Sequence, residues 1–405
     1  MLTPDFDPTA LRTHWGLDPD VLFLNHGSFG ACPTAVLAHQ RALRDRIEKQ
    51  PVQFFVRDLQ GLLDTAREAA AAFVGADPAG FAFVPNATTG VNAILRSLQL
   101  SPGDALLVTN HGYPACNNTV DFVARRAGAK IQVAEFPFEG ITPDGVVDAV
   151  LGAVTEETRV ALIDHITSPT GLVLPIERIV DGLRARGVAV LVDGAHAPGM
   201  VALDVDALGA TWYVGNFHKW TCAPKGAAFM YAHESVRGQM HPTVISHGYS
   251  APLFAPHQSR FHIEFDWTGT ADPTPWLTVP VAIDYVGGLV PGGWPAIRRH
   301  THRKVVAAQA LLADALGVAA PCPVSMLGTL AAVPLPPDDG PPPRSPLYVS
   351  PLQDALLEDH RIEVPVVPWP QHPERLVRVS AALYNGADEY SALCRALTRY
   401  FGSGN

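Results

Sequence analysis

The sequence predicts an α/β protein with a large, mostly parallel sheet unit of seven-stranded type and a smaller C-terminal α+β unit. Three observations carry this. Between about residues 80 and 232, apolar β-type runs recur: "FAFVP", "DALLVTN", "AKIQVAEF", "RVALIDHI", "GVAVLVD", "TWYVGN" and "GAAFMYA". Amphipathic helix-type segments such as "TTGVNAILRSLQL" and "IERIVDGLRARG" separate the first five. Strand and helix alternating at this spacing means βαβ units. Near-continuous Val, Leu and Ala, as in "VAVLV", means strands buried on both faces, as parallel sheets require. Beyond residue 276 the alternation stops. "WLTVPVAIDYVGGL" and "WPAIRRHTHRKVVAAQALLADALG" read as helices. The rest mixes short strands with the helical "PLQDALLEDH" and "DEYSALCRALTRYF". The proline-dense "VPLPPDDGPPPRSP" reads as a surface loop.

Each further element bounds the answer. A chain of 405 residues is long for one core, so the expected division is an arm over 1–20, a large unit over 21–275 and a small one over 276–405. The composition, 47% hydrophobic and 17% charged, is that of a soluble globular protein. The net charge of −10 without any basic block argues against nucleic acid or an anionic membrane as partner. The N-terminal "MLTPDFDPTALRTHWGLDPD" has no basic-then-apolar run, so no secretory signal is expected. No apolar stretch approaches a membrane span. The five cysteines form no CxxC pair and no zinc spacing, which points to a reduced, cytoplasmic setting. His300 and His302 lie two apart on a helix and do not share a face, so they decorate it and do not bind a metal.

In such sheets function collects at the carboxyl ends of the strands. The strand ends here lead into Asn86-Ala87-Thr88-Thr89-Gly90, His111-Gly112-Tyr113, Thr167-Ser168-Pro169-Thr170-Gly171, Gly194-Ala195-His196 and His218-Lys219. Five polar strand ends make a site the better reading than chance. Lys219 lies in "GNFHKWTCAPKG", among aromatic and apolar runs. A lysine there either snorkels to water or is held with its charged form disfavoured, and the latter makes an amine able to condense with an aldehyde. Asp193 ends a buried strand and needs a cation or several hydrogen bonds, unless it caps the next helix. Thr88 and Thr89 open a helix directly after a strand, either as an anion cradle or as ordinary caps. No GxxxxGK[ST] and no GxGxxG after a strand occurs, which removes the common nucleotide sites.

"FLNHGSFGACP", "NATTGVNAILRSL", "DHITSPTG", "LVDGAHAPG", "GNFHKWTCAPKG", "DWTGTADPT" and "RVSAALYNGADEY" occur in this order over about residues 21–392. Together they resemble the isopenicillin N epimerase-like branch of the class V aminotransferase-fold enzymes. That resemblance implies a pyridoxal 5'-phosphate-dependent, fold type I transferase architecture. It implies Lys219 as the Schiff-base lysine and α-proton shuttle, and Asp193 as partner of the pyridine nitrogen. His196 would lie near the phenolic oxygen, with Ser168 or Thr167 nearby, and Tyr113 would stack on the ring, a place His111 fits less well. Thr88, Thr89, Asn216 and His218 would cradle the phosphate. Thr270 would reach a neighbouring subunit's phosphate, making the active unit a homodimer. Arg378 would grip the substrate carboxylate, and Asn25 and His26 would lie near the substrate.

The implied chemistry is removal of a proton at the α-carbon of an amino acid. Reprotonation from the opposite face gives epimerisation, loss of a β-substituent gives a carbon–sulfur lyase, and proton return to the cofactor gives transamination. The resemblance favours epimerase or lyase over aminotransferase. A non-catalytic pyridoxal phosphate-binding protein is the rival from another class. No cysteine lies between Cys322 and Cys394, so sulfur transfer through a protein persulfide is not expected.

Overall fold

A computed structural model describes residues 6–253, 259–342 and 350–402. Seven strands form the large sheet: β1 (Phe81–Val84), β2 (Ala105–Thr109), β3 (Lys130–Ala134), β4 (Thr158–Asp164), β5 (Ala189–Gly194), β6 (Trp212–Asn216) and β7 (Ala228–Ala232). All seven coincide with the apolar runs of the sequence. Their order is β1-β7-β6-β5-β4-β2-β3. The pairs β2–β3, β2–β4, β4–β5 and β5–β6 are parallel, while β7 runs antiparallel to both its neighbours. A parallel crossover needs a dozen or more residues. The segment between β6 and β7, residues 217–227, instead turns back as an antiparallel connection, and it carries Lys219.

The sheet is apolar on both faces because alternate residues feed separate cores. Phe81, Phe83 and Phe229 belong to one buried cluster, and Ala82, Val84, Val214 and Met230 to the other. Each fully buried large apolar side chain stabilises the fold by about 1.5–3 kcal/mol. The helix Ala87–Ser97 follows β1 and is capped by the Asn86 side chain, which accepts from the Thr89 N–H at 2.8 Å.

A second sheet is antiparallel, in the order β9-β10-β8: β8 (Leu330–Leu335), β9 (Val366–Pro368) and β10 (Arg375–Ser380). The helices Gly293–Leu316 and Ala387–Gly402 pack together beside it, and with Val279–Gly287 and Pro351–His360 they match the helical segments expected from sequence. The proline-dense stretch departs from its reading as a loop at its start: Val333, Pro334 and Leu335 finish β8, where they pair with the buried strand β10. Its later residues, 343–346, lie outside the described residues.

The N-terminal segment enters the second unit. Leu22–Phe23 pairs in parallel with Ile362–Glu363, and the Ser380 N–H donates to the Leu24 carbonyl at 2.9 Å. Asn25–Phe29 is thereby carried to the junction of the two sheets.

Candidate active site

The polar strand ends and the Asn25–Phe29 segment meet at one open cavity of about 300 Å³. Thr88, Tyr113, Ser168, Asp193, His196, Asn216, His218 and Lys219 all line it. Asn86, Ala87 and Ala195 join them from the same strand ends, and the cavity also takes residues not expected there from sequence: Ser28, Phe29, Asp164 and Ile166.

The Lys219 amine sits 2.9 Å from His196 Nε2. Burial, reinforced by the Arg378 charge, lowers its pKa to about 7, against the opposing pull of Asp193, Cys116 and Asp164. About half of the amine is therefore uncharged at pH 7, where an ordinary lysine is almost wholly protonated. Burial holds His196 well below its usual range, with Lys219 and Arg378 adding to the effect, so its imidazole is neutral.

Asp193 ends β5 and is buried. One carboxylate oxygen accepts from the Ala195 N–H at 3.0 Å, and the other accepts from the Cys116 thiol at 3.2 Å. Burial raises its pKa. Beside it, Asp164 ends β4 and is buried as well. Burial first, then the charge of Asp193, push the Asp164 carboxyl well above the usual carboxylate range. Asp164 and Ile166 sit two apart along the chain and line the same cavity, as the period of two demands.

At the opposite end, Asn216 Oδ1 accepts from the Ala87 N–H at 2.9 Å, which leaves its amide N–H groups for the cavity. Thr88 faces the cavity from the first turn of the helix, whereas the Thr89 N–H and hydroxyl are both taken up by Asn86. His218 donates Nδ1–H to the Ala227 carbonyl at 3.1 Å. Burial, then the Lys219 charge, hold its pKa at about 4. Tyr113 precedes the helix Pro114–Ala127 and lies 41% exposed at the cavity wall. Burial, helped by Cys116 and Asp193, raises its pKa, so the phenol keeps its proton. His111 instead is fully buried, stacked on Phe136 at 4.3 Å and bonded to Thr170, and does not line the cavity.

Arg378 lies on β10, directly behind Ser168 and Ser28. It donates to the Ser168 carbonyl and, at 3.1 Å, to the Ser28 hydroxyl. Its Nε is buried without a partner, and among the described residues no carboxylate pairs with it. Burial lowers its pKa to about 10.

Asn25 and His26 stand one layer back from the cavity. Asn25 donates to Glu363 at 3.0 Å and accepts from the Ser28 hydroxyl. His26 is buried, with Nδ1 on the Tyr384 hydroxyl at 2.7 Å and Nε2 on the Lys219 carbonyl at 3.0 Å. Their neighbours Ser28 and Phe29 form the wall itself. Thr270 is exposed and lies outside the cavity of its own chain.

The donor set fits pyridoxal phosphate. An uncharged amine is the group that reacts with its aldehyde, a buried carboxyl pair suits its pyridine nitrogen, and a helix N-terminus flanked by Thr88 and Asn216 suits its phosphate.

Comparison with known proteins agrees. Residues 50–323 match the aminotransferase class-V family model. The isopenicillin N epimerase of Amycolatopsis lactamdurans is 34% identical over 95% of this chain and 96% of that protein. A probable chloroplastic L-cysteine desulfhydrase of Arabidopsis thaliana is 31% identical over 94% of this chain and 83% of its own. Among solved structures, a C-DES mutant with glycine covalently linked to its PLP cofactor superposes with a TM-score of 0.78 at 20% identity, covering 96% of this chain and 98% of that one. The chain therefore belongs to the class-V aminotransferase family, on the branch that holds isopenicillin N epimerases and cysteine desulfhydrases, and is an enzyme that uses pyridoxal 5'-phosphate.

Proposed function

We propose that this enzyme removes the α-proton of an amino acid with Lys219 and then expels a β-sulfur substituent, as a carbon–sulfur lyase. The observation that carries the reading is the Lys219 amine, 2.9 Å from His196 and depressed to a pKa of about 7, the range in which a general base works best. When bound, pyridoxal phosphate supplies the aldehyde that joins this amine and a ring that draws charge from the α-carbon. Asp193 and Asp164 would supply the negative charge that keeps the ring nitrogen protonated. Thr88, Asn216 and His218 would hold the phosphate, and Tyr113 would cover the ring.

Arg378 orients the substrate. Its buried guanidinium lacks a carboxylate partner among the described residues, and a substrate α-carboxylate supplies one through a planar, charge-assisted fork. The α-proton ends on Lys219 Nζ. The β-carbon–sulfur bond breaks with its electron pair on sulfur, and water releases pyruvate and ammonia.

Elimination is favoured because it needs one base, and Tyr113, the phenol at the cavity wall, holds its proton. The same phenol favours a second reading, epimerisation, in which it donates a proton to the opposite face of the α-carbon. The active unit in either reading is a homodimer in a reducing cytoplasm, with Thr270 of each chain completing the phosphate site of the other. Its exposure and the free state of all five cysteines support this.

The test is incubation of the cofactor-loaded enzyme with L-cysteine, S-substituted cysteines and a panel of L-amino acids. Pyruvate formed in step with sulfide supports elimination. Inversion at the α-carbon without pyruvate transfers the assignment to epimerisation. A substrate-derived keto acid with sulfur retained overturns both.

A further inference from the structure

Trp220 follows the cavity lysine, and its indole N–H points at His196 Nδ1 at 3.3 Å. It is buried and firmly held. Its ring packs on His26 with centroids 5.0 Å apart. Its backbone carbonyl lies 2.8 Å from where a Cβ on Gly199 would stand, and Gly199 has a φ of +87°. Only glycine at 199 allows that approach.

An indole nitrogen can only donate. His196 Nδ1 must then accept, so the single proton of a neutral imidazole lies on Nε2. A doubly protonated ring would set two N–H groups against each other. The Nε2–H points at Lys219 Nζ, 2.9 Å away, and an ammonium has no lone pair to receive it. The geometry is satisfied by one arrangement: Trp220 donates to His196, and His196 donates to an uncharged Lys219 amine.

We propose that Trp220 is a positioning residue that fixes the His196 tautomer and thereby keeps the Lys219 amine uncharged and ready for the cofactor aldehyde. The inference rests on Lys219 being the cofactor-bearing lysine. The other groups facing that amine are Arg378 from β10, Asp193 and Asp164 from the ends of β5 and β4, Cys116 from the helix Pro114–Ala127, and the adjacent His218. All of them are unchanged in Trp220→Phe, which keeps the ring and removes the N–H.

Borohydride trapping of the loaded wild-type protein, followed by peptide mass spectrometry, first tests the underlying reading. A cofactor trapped on another lysine ends that reading before any Trp220 variant is made. The full-length protein is then stripped of cofactor, and Lys219 is labelled competitively with acetic anhydride across pH 5 to 10. In the wild type the labelling midpoint is expected near pH 7. In Trp220→Phe, His196 can take its proton on Nδ1 and accept from an ammonium, so the midpoint moves up by about one unit and labelling at pH 7 slows roughly fivefold. An unmoved midpoint overturns the proposal. Should Trp220→Phe not fold, ¹⁵N spectra of histidine-labelled wild-type apoprotein decide the matter. With His196 assigned through its loss in His196→Gln, a proton on Nε2 supports the proposal and a proton on Nδ1 overturns it.

Discussion

Asp164 and Asp193 are register partners on adjacent parallel strands, both buried and both lining one cavity. Two carboxylates so placed cannot both ionise cheaply. The folded apoprotein therefore holds a proton that the unfolded chain releases above about pH 4. Where the native state binds more protons than the unfolded one, stability falls as pH rises, by about 1.4 kcal/mol per unit for one such group. The burial-raised pKa values put that window from about pH 4 upward. Asp164→Asn removes one of the two charges. Its apoprotein should melt higher than wild type at pH 8, and its Tm should change less between pH 5 and 8. Differential scanning fluorimetry checks this, and parallel Tm profiles for the two proteins would count against a shared proton.

Lys219 gives the opposite sign. Its pKa falls to about 7 in the folded state through burial and the Arg378 charge. Between there and its unfolded value the native protein binds fewer protons, so this group adds stability as pH rises through the interval. Only the free amine attacks an aldehyde. The rate at which apoprotein takes up pyridoxal phosphate should climb about tenfold per unit below pH 7 and level off above it. Stopped-flow absorbance measures the rate. A climb that continues to pH 10 would mean an ordinary exposed lysine. Lys219→Ala should lose the visible band altogether, with activity down by roughly a hundredfold or more.

The strands and their polar ends were legible because buried parallel strands are continuous apolar runs whose chemistry sits at one edge. The same continuity hid Asp164. In "RVALIDHI" positions 160–163 are all apolar, so no period of two sets the phase, and the carboxylate of Asp164 reads as the close of a strand. Cys116 bonds Asp193 from the helix Pro114–Ala127, far from β5 in the chain, a contact that no local pattern encodes. The direction of β7 depends on a short return after β6. Asn25 and His26 stand behind the cavity wall because Leu22–Phe23 pairs with Ile362–Glu363, a partner distant in the chain. Their depth follows from that pairing, which spacing within "LNHGSFG" cannot report.

Arg378 separates binding from folding. Its guanidinium is buried, its Nε has no partner, and it lacks a carboxylate among the described residues. An unpaired buried cation adds little to stability. Arg378→Met should leave the apoprotein Tm within a few degrees of wild type while weakening amino-acid binding ~10- to 100-fold, the worth of a charged hydrogen-bonded contact. Arg378→Lys should recover only part, because a point charge cannot form the fork. Spectral titration with substrate measures the affinity. An unaltered affinity in Arg378→Met would remove this residue from the substrate site.

Gly30 joins the cavity wall to the lysine loop. Its φ is +70°, and a Cβ built on it would stand 2.0 Å from the His218 carbonyl oxygen. Both the left-handed backbone and the backbone contact resist any side chain, since neither neighbour can rotate away. Gly30→Ala must push the Asn25–Phe29 segment off the loop that carries Lys219. That breaks the His26 contact to the Lys219 carbonyl and moves Ser28 away from Arg378. The expected cost is about 3 kcal/mol in urea unfolding, together with weaker cofactor retention. Gly61 supplies the contrast, because it lies in the helix Leu59–Val74 with nothing within 4 Å of a built Cβ. Gly61→Ala should stabilise the protein by about 0.5–1 kcal/mol and leave cofactor binding untouched. If Gly30→Ala unfolds at the same urea concentration as wild type and keeps its cofactor, the wall and the lysine loop are not held together at this point.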